Sequence, residues 1–435
     1  MSNHLLVIGS GPIGRGVFPL YFPCFNKLRI IGRDEARTLE LDAYLAPYNG
    51  MLGKHSAKEG PGYFVHAHEA DSSPTDVRIQ KARAFTMPST EDVHDGPAFK
   101  AFYKASAIAL ALDPKDFVSA GVDTLARGLI HRFITTSSDA PLALLIGMNV
   151  VDSANKVVRP ALEKKLTSLL GEGNPEVARI MSLLVFHETV INQIAFRDPT
   201  PGSHDINTEA ITPDGMWVKT KADTSDLPSP ASVRAQYVSE EEFKKLDKRK
   251  IWGSNCLHAV LAYLDFSKHG AESTFVHSAW SKPLVADFMT RAAKEIAGPL
   301  AREIGQEEAE VLEYLMGALK RFSNPLLNDP ITRVARDPGR KLGIGERLLG
   351  PALAVLEQGG SPVCLAQAIG WAIQYPYKSE DRTQPSEIFQ AFQKARVESS
   401  DETGIRAVLS PILEGHPHGE ELIRLVVEMF NKPLT

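Results

Sequence analysis

The sequence predicts an α/β N-terminal domain built on a parallel sheet, followed by a mostly α-helical C-terminal domain. Three observations carry this. Short, wholly apolar runs alternate with helix-length segments over the first half, as in strands buried on both faces. A glycine cluster, Gly9-Ser-Gly11-Pro-Ile13-Gly14, follows directly on the first run. From Glu240 onward strand-like runs almost vanish and helical spacing takes over. A length of 435 residues suits two domains or three. We place the division near residue 200, giving domains 1–200 and 201–435, within tens of residues.

The first run is Leu5–Ile8, and Leu28–Ile31, Ala107–Leu112, Leu142–Ile146 and Leu183–Phe186 follow. Asp116–Ile130 and Ser153–Leu170 are long enough for crossover helices, so the alternation reads as α/β. The polar stretch Pro47–Glu91 interrupts it and reads as an insertion or irregular excursion. Around Asp198-Pro-Thr-Pro-Gly the texture changes. Leu284 to Ile296 and Val311 to Leu319 then carry apolar residues at helical spacing. Pro325, Pro330 and Pro338 break the chain before a last apolar helix, Leu348–Leu356.

Composition narrows the function. The chain has 48 basic and 53 acidic residues, net −5, with no long run of one sign, which argues against nucleic acid as a partner. Cys24, Cys256 and Cys364 form no CxxC pair, so neither a disulfide framework nor a cysteine zinc site is expected. No apolar run approaches a membrane span. The expectation is a soluble, cytoplasmic protein acting on a small molecule.

The glycine cluster has the Gly-x-Gly-x-x-Gly spacing of a Rossmann-type dinucleotide loop. The first glycine makes the strand-to-helix turn, the second lets a pyrophosphate approach the backbone, and the third allows helix and strand to pack closely. The phosphates then lie at a helix N-terminus. Gly9, Gly11, Ile13 and Gly14 are the candidate cofactor residues. The ribose-binding acid normally lies about 20 residues on. Asp34 meets that count, which would favour NAD. Yet Gly32 and Arg33 come first, and a glycine beside a guanidinium suits a 2′-phosphate. The reading is NADP or NAD, with NADP slightly favoured through Arg33; a solvated Arg33 is the bland alternative.

A second constellation is Lys250-Ile-Trp-Gly-Ser-Asn255-Cys-Leu-His258. On a regular helix these three polar residues fall at about 0°, 140° and 80°, one broad arc. Such a triple is most often a solvated face, but Trp252, Leu257, Val260, Leu261 and Leu264 mark this helix as buried.

Here the sequence resembles the polyol-specific long-chain dehydrogenases, the family of mannitol-1-phosphate 5-dehydrogenase, mannitol 2-dehydrogenase and the hexuronate reductases. Lys250, Asn255 and His258 match its Lys-x4-Asn-x2-His motif. Arg321-Phe-Ser-Asn-Pro-Leu-Leu-Asn-Asp-Pro-Ile-Thr-Arg-Val-Ala-Arg-Asp-Pro-Gly-Arg-Lys-Leu342 and Gly9-Ser-Gly-Pro-Ile-Gly-Arg-Gly16 are similar to its other segments. The chain departs from the family at Gly147-Met148-Asn149, where an acid usually precedes the asparagine. It departs again at Asn192-Gln193-Ile194, in place of Asp-Arg-Ile, and Pro47–Glu91 has no counterpart.

The resemblance implies metal-free hydride transfer between an acyclic polyol, such as mannitol 1-phosphate, and its keto-sugar. Lys250 would be the general base, its pKa lowered by desolvation in an interdomain cleft and by a cationic cofactor ring. Asn255 would stabilise the developing alkoxide, with Asn149 as a second donor, and His258 would orient hydroxyls. Arg333 and Lys341 would bind the substrate's far end. Arg336, Arg340 and Arg347 nearby read equally well as anion ligands or as a solvated face paired with Asp329, Asp337 and Glu346. A sugar-acid reductase, a free mannitol dehydrogenase and a non-catalytic NAD(P)-binding sensor remain the alternatives. No tyrosine is followed four residues later by lysine, so the short-chain dehydrogenase pair is missing. His66-x-His68-Glu69 and His416-Pro-His418 lack partner ligands, and no metal is expected.

Overall fold

The structure, a computed structural model, describes residues 4–45, 62–68, 75–80, 82–86, 96–150, 152–193, 195–197, 203–209, 215–220, 227–272, 274–325, 329–397, 399–430 and 432–433. It separates into two compact units, Met1–Phe243 and Lys244–Thr435.

The first unit is organised by the apolar runs. They form β1 (His4–Ile8), β2 (Lys27–Gly32), β6 (Ala107–Leu110), β7 (Leu142–Ile146) and β8 (Leu184–Ile191). Alternate residues of β1 face opposite sides. Leu5 and Val7 join one apolar cluster while Leu6 and Ile8 join another, so both faces of the sheet are covered. The remaining strands are β3 (Gly62–His68), β4 (Thr75–Gln80), β5 (Ala82–Thr86), β9 (Ala195–Arg197), β10 (Ile206–Glu209), β11 (Met216–Lys219) and β12 (Gln236–Val238). The main sheet runs β12-β11-β8-β7-β6-β1-β2-β5, and β4-β3-β10-β9 form a second sheet. Strands β5, β2, β1, β6, β7 and β8 are mutually parallel. Numbered in chain order, these six read 3-2-1-4-5-6, the Rossmann order, with its reversal between β1 and β6.

Two expectations are corrected here. The stretch 47–91 is not wholly irregular, because β5 pairs with β2 from Leu28↔Ala82 to Gly32↔Thr86 and is the sheet's third parallel strand. Its sequence, Ala82-Arg-Ala-Phe-Thr, hides this, since Arg83 is held in register by an ion pair instead of apolar contact. The Asp42 carboxylate accepts from Arg83 Nε at 2.7 Å and from the Ala84 amide at 2.9 Å. Secondly, the units divide after Phe243 and not near 200, because β11 pairs antiparallel with β8 and β12 parallel with β11. Residues 216–238 thus extend the first unit's sheet.

The second unit is helical. Asn255–His269 runs through its centre, with Cys256, Leu257 and Ala259 to Leu264 all at most 1% exposed, so this helix is apolar all round. Pro283–Ile304 packs against it and begins with proline, whose fixed φ suits a first turn. It ends at Gly305, whose φ of 66° is the left-handed cap glycine takes without strain. Glu308–Phe322, Leu349–Glu357 and Val363–Ile373 complete the inner layer.

Candidate functional site

In the first unit the glycines do three different jobs. Gly9 has φ 118°, and a Cβ there would meet the Ala111 carbonyl oxygen at 2.3 Å. That brings the end of β1 hard against the end of β6, at the sheet's reversal. A Cβ on Gly14 would lie 2.4 Å from the Gly9 oxygen and 2.7 Å from Val7, so helix and strand need glycine to touch. A Cβ on Gly11 would meet nothing within 4 Å, so its backbone faces open space. Ile13 opens the helical turn and packs on the cluster beneath the sheet. Turn, open backbone and close packing are the three features a bound dinucleotide requires.

Sequence reasoning missed the brace beneath this loop. Arg15 is 3% exposed, and its guanidinium donates to the Ser10 carbonyl at 3.0 Å and the His204 carbonyl at 2.8 Å. Gln193, one of the departures from the family pattern, is structural. It accepts from the Tyr21 hydroxyl at 2.9 Å and donates to Thr208 at 3.0 Å.

At the end of β2, a Cβ on Gly32 would stand 2.1 Å from Thr38 Oγ1. A side chain there would require Thr38 to move. Asp34 is occupied as a helix cap, accepting from the Arg37 amide at 3.0 Å. Arg33 is two-thirds exposed and pairs with Asp116 at 2.6 Å. Asn149 is exposed just beyond β7.

The helix that carries Lys250, Asn255 and His258 departs from the regular-helix arithmetic. Arg249–Ser254 is a π-turn, and the Asn255 amide donates to the Lys250 carbonyl five residues back. A turn spanning one more residue rotates less per residue. Asn255 therefore stands at a smaller angle from Lys250 than the roughly 140° of a regular helix. Close packing holds the turn. A Cβ on Gly253 would meet Tyr314 at 3.0 Å, and the Tyr314 hydroxyl donates to Ser254 at 3.1 Å. Trp252 Nε1 donates to the Gly345 carbonyl at 2.7 Å, over Gly350, where a Cβ would collide with the indole at 2.5 Å. Burial pushes Lys250 from an ordinary 10.5 to about 8; Asp247 opposes this, while Arg347 and Arg321 add to it.

His258 stacks on Phe322 with ring centroids 4.6 Å apart. Its Nε2 is 3.2 Å from Asp329 Oδ2, within ion-pair distance but without hydrogen-bond alignment. Burial lowers its pKa, and Asp329 partly offsets this. Burial alone would raise Asp329, but Arg333 and His258 together hold it well below the usual carboxylate range. Arg333 grips both oxygens of Asp329 as a fork. Asp329 thus ties a predicted catalytic residue to a predicted substrate residue. The sequence offered it only as one surface partner among several.

Lys341 is 4% exposed; its ammonium donates to the Arg336 carbonyl and lies 5.8 Å from the Tyr263 ring centroid. Burial and then Arg347 drive its pKa well below the ordinary lysine value. The His416 and His418 rings stand 6.4 Å apart, each near its own glutamate. The side chains of His66 and His68, and all of Glu69, lie outside the described residues. Among the described residues no three His, Cys, Asp or Glu side chains gather as a metal-binding group, and no helix is long and apolar enough to cross a membrane.

Comparison with known proteins follows the same division. Residues 242–431 match the mannitol dehydrogenase C-terminal domain family. The chain is similar to the mannitol-1-phosphate 5-dehydrogenase of Paenarthrobacter aurescens, 26% identical over 72% of this chain and 76% of that one. It is likewise similar to that of Alternaria alternata, 25% identical over 80% of this chain and 87% of the other. That of Anoxybacillus flavithermus is 32% identical over 42% of this chain and 47% of its own length. A substrate-free D-sorbitol dehydrogenase crystal structure matches with TM-score 0.68, covering 98% of this chain and 91% of the other; at 13% identity this likeness is one of fold.

Proposed function

Because the chain belongs to the mannitol dehydrogenase-like family, we propose that it is a nicotinamide-dependent polyol dehydrogenase, interconverting a hexitol phosphate such as mannitol 1-phosphate with its keto-sugar. The observation that carries this reading is Lys250, brought to about 8 by burial. A lysine near that value can take a proton from a secondary alcohol or return it to a ketone close to neutral pH.

The nicotinamide, when bound, supplies or accepts the hydride. The residues that would hold the dinucleotide are Gly9, Gly11, Ile13 and Gly14, with Arg15 keeping the loop in shape. Gly32 removes the carboxylate that would repel a 2′-phosphate, and exposed Arg33 can supply the guanidinium, so NADP is the favoured form over NAD. Lys250 moves the proton at the reacting oxygen. Asn255 donates to that oxygen as negative charge develops. His258, fixed between Phe322 and Asp329, orients the substrate hydroxyls. Lys341 binds the end remote from the reaction.

Following cofactor absorbance with hexitol phosphates, free hexitols and hexuronates, each with NADP and NAD, tests this directly. Turnover confined to the uronates would replace it with the sugar-acid reading. Cofactor binding without turnover of any of them would leave the sensor.

A further inference from the structure

Around Tyr263 the second unit buries two basic side chains. Arg347 and Lys341 are each 4% exposed. The Leu348 amide donates to the Lys341 carbonyl at 3.2 Å, so the chain doubles back and brings the two cations together. Among the described residues, Arg347 has one hydrogen-bond partner, its neighbour Glu346 at 3.3 Å. Lys341 has a carbonyl and an aromatic face but no carboxylate at ion-pair distance. Asp337 is taken by Arg340 at 3.2 Å, and Asp329 by Arg333. The Arg347 guanidinium therefore keeps donors that the oxygens of an anion could complete. The same loop is tied to the catalytic turn, since the Gly345 carbonyl receives the Trp252 indole.

We propose that Arg347, with Lys341 as second donor, is the receptor for the phosphate group of the substrate, and that Arg333 serves instead to position His258 through Asp329. This rests on the reading of the substrate as a phosphorylated polyol. Arg333 already spends its fork on a carboxylate, whereas Arg347 retains a planar set of donors matched to phosphate oxygens. A doubly charged phosphate offers Arg347 charge-assisted acceptor oxygens, and a neutral hydroxymethyl end does not.

The test is steady-state kinetics on the full chain with mannitol 1-phosphate and with mannitol, at saturating cofactor and fixed ionic strength, using inorganic phosphate as a competitor. Arg347→Gln is expected to raise KM for mannitol 1-phosphate roughly ten- to a hundredfold. The inhibition constant of inorganic phosphate should weaken in parallel, with the KM for mannitol nearly unchanged. Arg347→Lys keeps charge and bulk but loses the fork. It should show a smaller rise confined to the phosphorylated substrate, which keeps the idea testable if the glutamine variant does not fold. Equal changes for both substrates, or an unaltered phosphate inhibition constant, would overturn the assignment. If the parent enzyme uses mannitol as well as its phosphate while Arg347 still governs inhibition by inorganic phosphate, the substrate reading falls and the anion site stands. If the parent prefers the phosphate ester and the Arg347 variants retain that preference, the reverse holds.

Discussion

Replacing Lys250 tests the chemical step most directly. An ordinary lysine at 10.5 is almost wholly protonated at neutral pH, and burial brings Lys250 to about 8. Below both values the neutral fraction rises tenfold for each pH unit the pKa falls, so about 300-fold more base is present. Holding the ammonium at that disadvantage costs about 3 kcal/mol. Lys250→Ala should lower kcat for polyol oxidation about 10²–10⁴-fold while cofactor affinity, measured by fluorescence titration, stays within about twofold. In the parent enzyme, kcat/KM for oxidation should climb with pH and level off above about 8. For ketone reduction, which needs the protonated lysine, it should fall over the same range. The stability cost has a sign as well. The buried cation penalises the folded state below about pH 8, and the penalty fades towards 10.5 as the unfolded lysine also loses its proton. Lys250→Met should therefore be the more stable protein at pH 6, with the gap closing in alkali. Parent-like turnover by Lys250→Ala, or oxidation rates flat from pH 6 to 9, would refute the reasoning.

Three further outcomes follow from the same geometry. Arg33→Ala should cut NADP affinity about tenfold and leave NAD affinity unchanged; a parent protein that binds NAD as well as NADP refutes this. Lys341→Ala should raise KM for the phosphorylated substrate roughly ten- to a hundredfold with kcat little altered, the pattern of an interaction made equally in ground and transition states. Asp329→Asn strips Arg333 and His258 of their shared carboxylate, and with Arg333 43% exposed the loss should be about 1–3 kcal/mol in urea melts at pH 7. Because Asp329 titrates below its unfolded value, that difference should persist down to about pH 4 and disappear only in stronger acid; an unchanged urea midpoint at pH 7 sinks it.

The parallel sheet was legible because its strands are buried on both faces, so Leu5–Ile8 and Leu142–Ile146 could be read without any pattern beyond apolarity. The strand Ala82–Thr86 was not, since an arginine holds its place by pairing with Asp42. Likewise β11 and β12 belong to the first unit through backbone pairing, which leaves little mark in composition. The candidate triple Lys250, Asn255 and His258 stood out by residue type and spacing. The angle between Lys250 and Asn255 did not, because helical-wheel angles assume a uniform rotation that the π-turn breaks. Arg15 resembled any exposed base until its two carbonyl partners, one of them 189 residues away, were visible. Asp329 and Arg347 read as half of a solvated ion-pair set; only their burial separates them from Asp337 and Arg336.

The π-turn at Arg249–Ser254 bears on any attempt to graft this chemistry elsewhere. A lysine, an asparagine and a histidine copied at the same intervals onto an ideal scaffold helix would keep the wider angle of a uniform rotation, about 140° between the lysine and the asparagine. To reproduce the narrower one, the recipient must carry one surplus residue in that turn, together with a glycine thin enough to let a neighbouring aromatic ring press on it, as Tyr314 presses on Gly253. Conversely, deleting a single residue between Lys250 and Asn255 would bring the helix to a regular rotation and change the angle between those two side chains. Such a shortened protein should lose activity, and stability with it, because Trp252 and Gly253 would be pulled from their contacts with Gly345 and Tyr314.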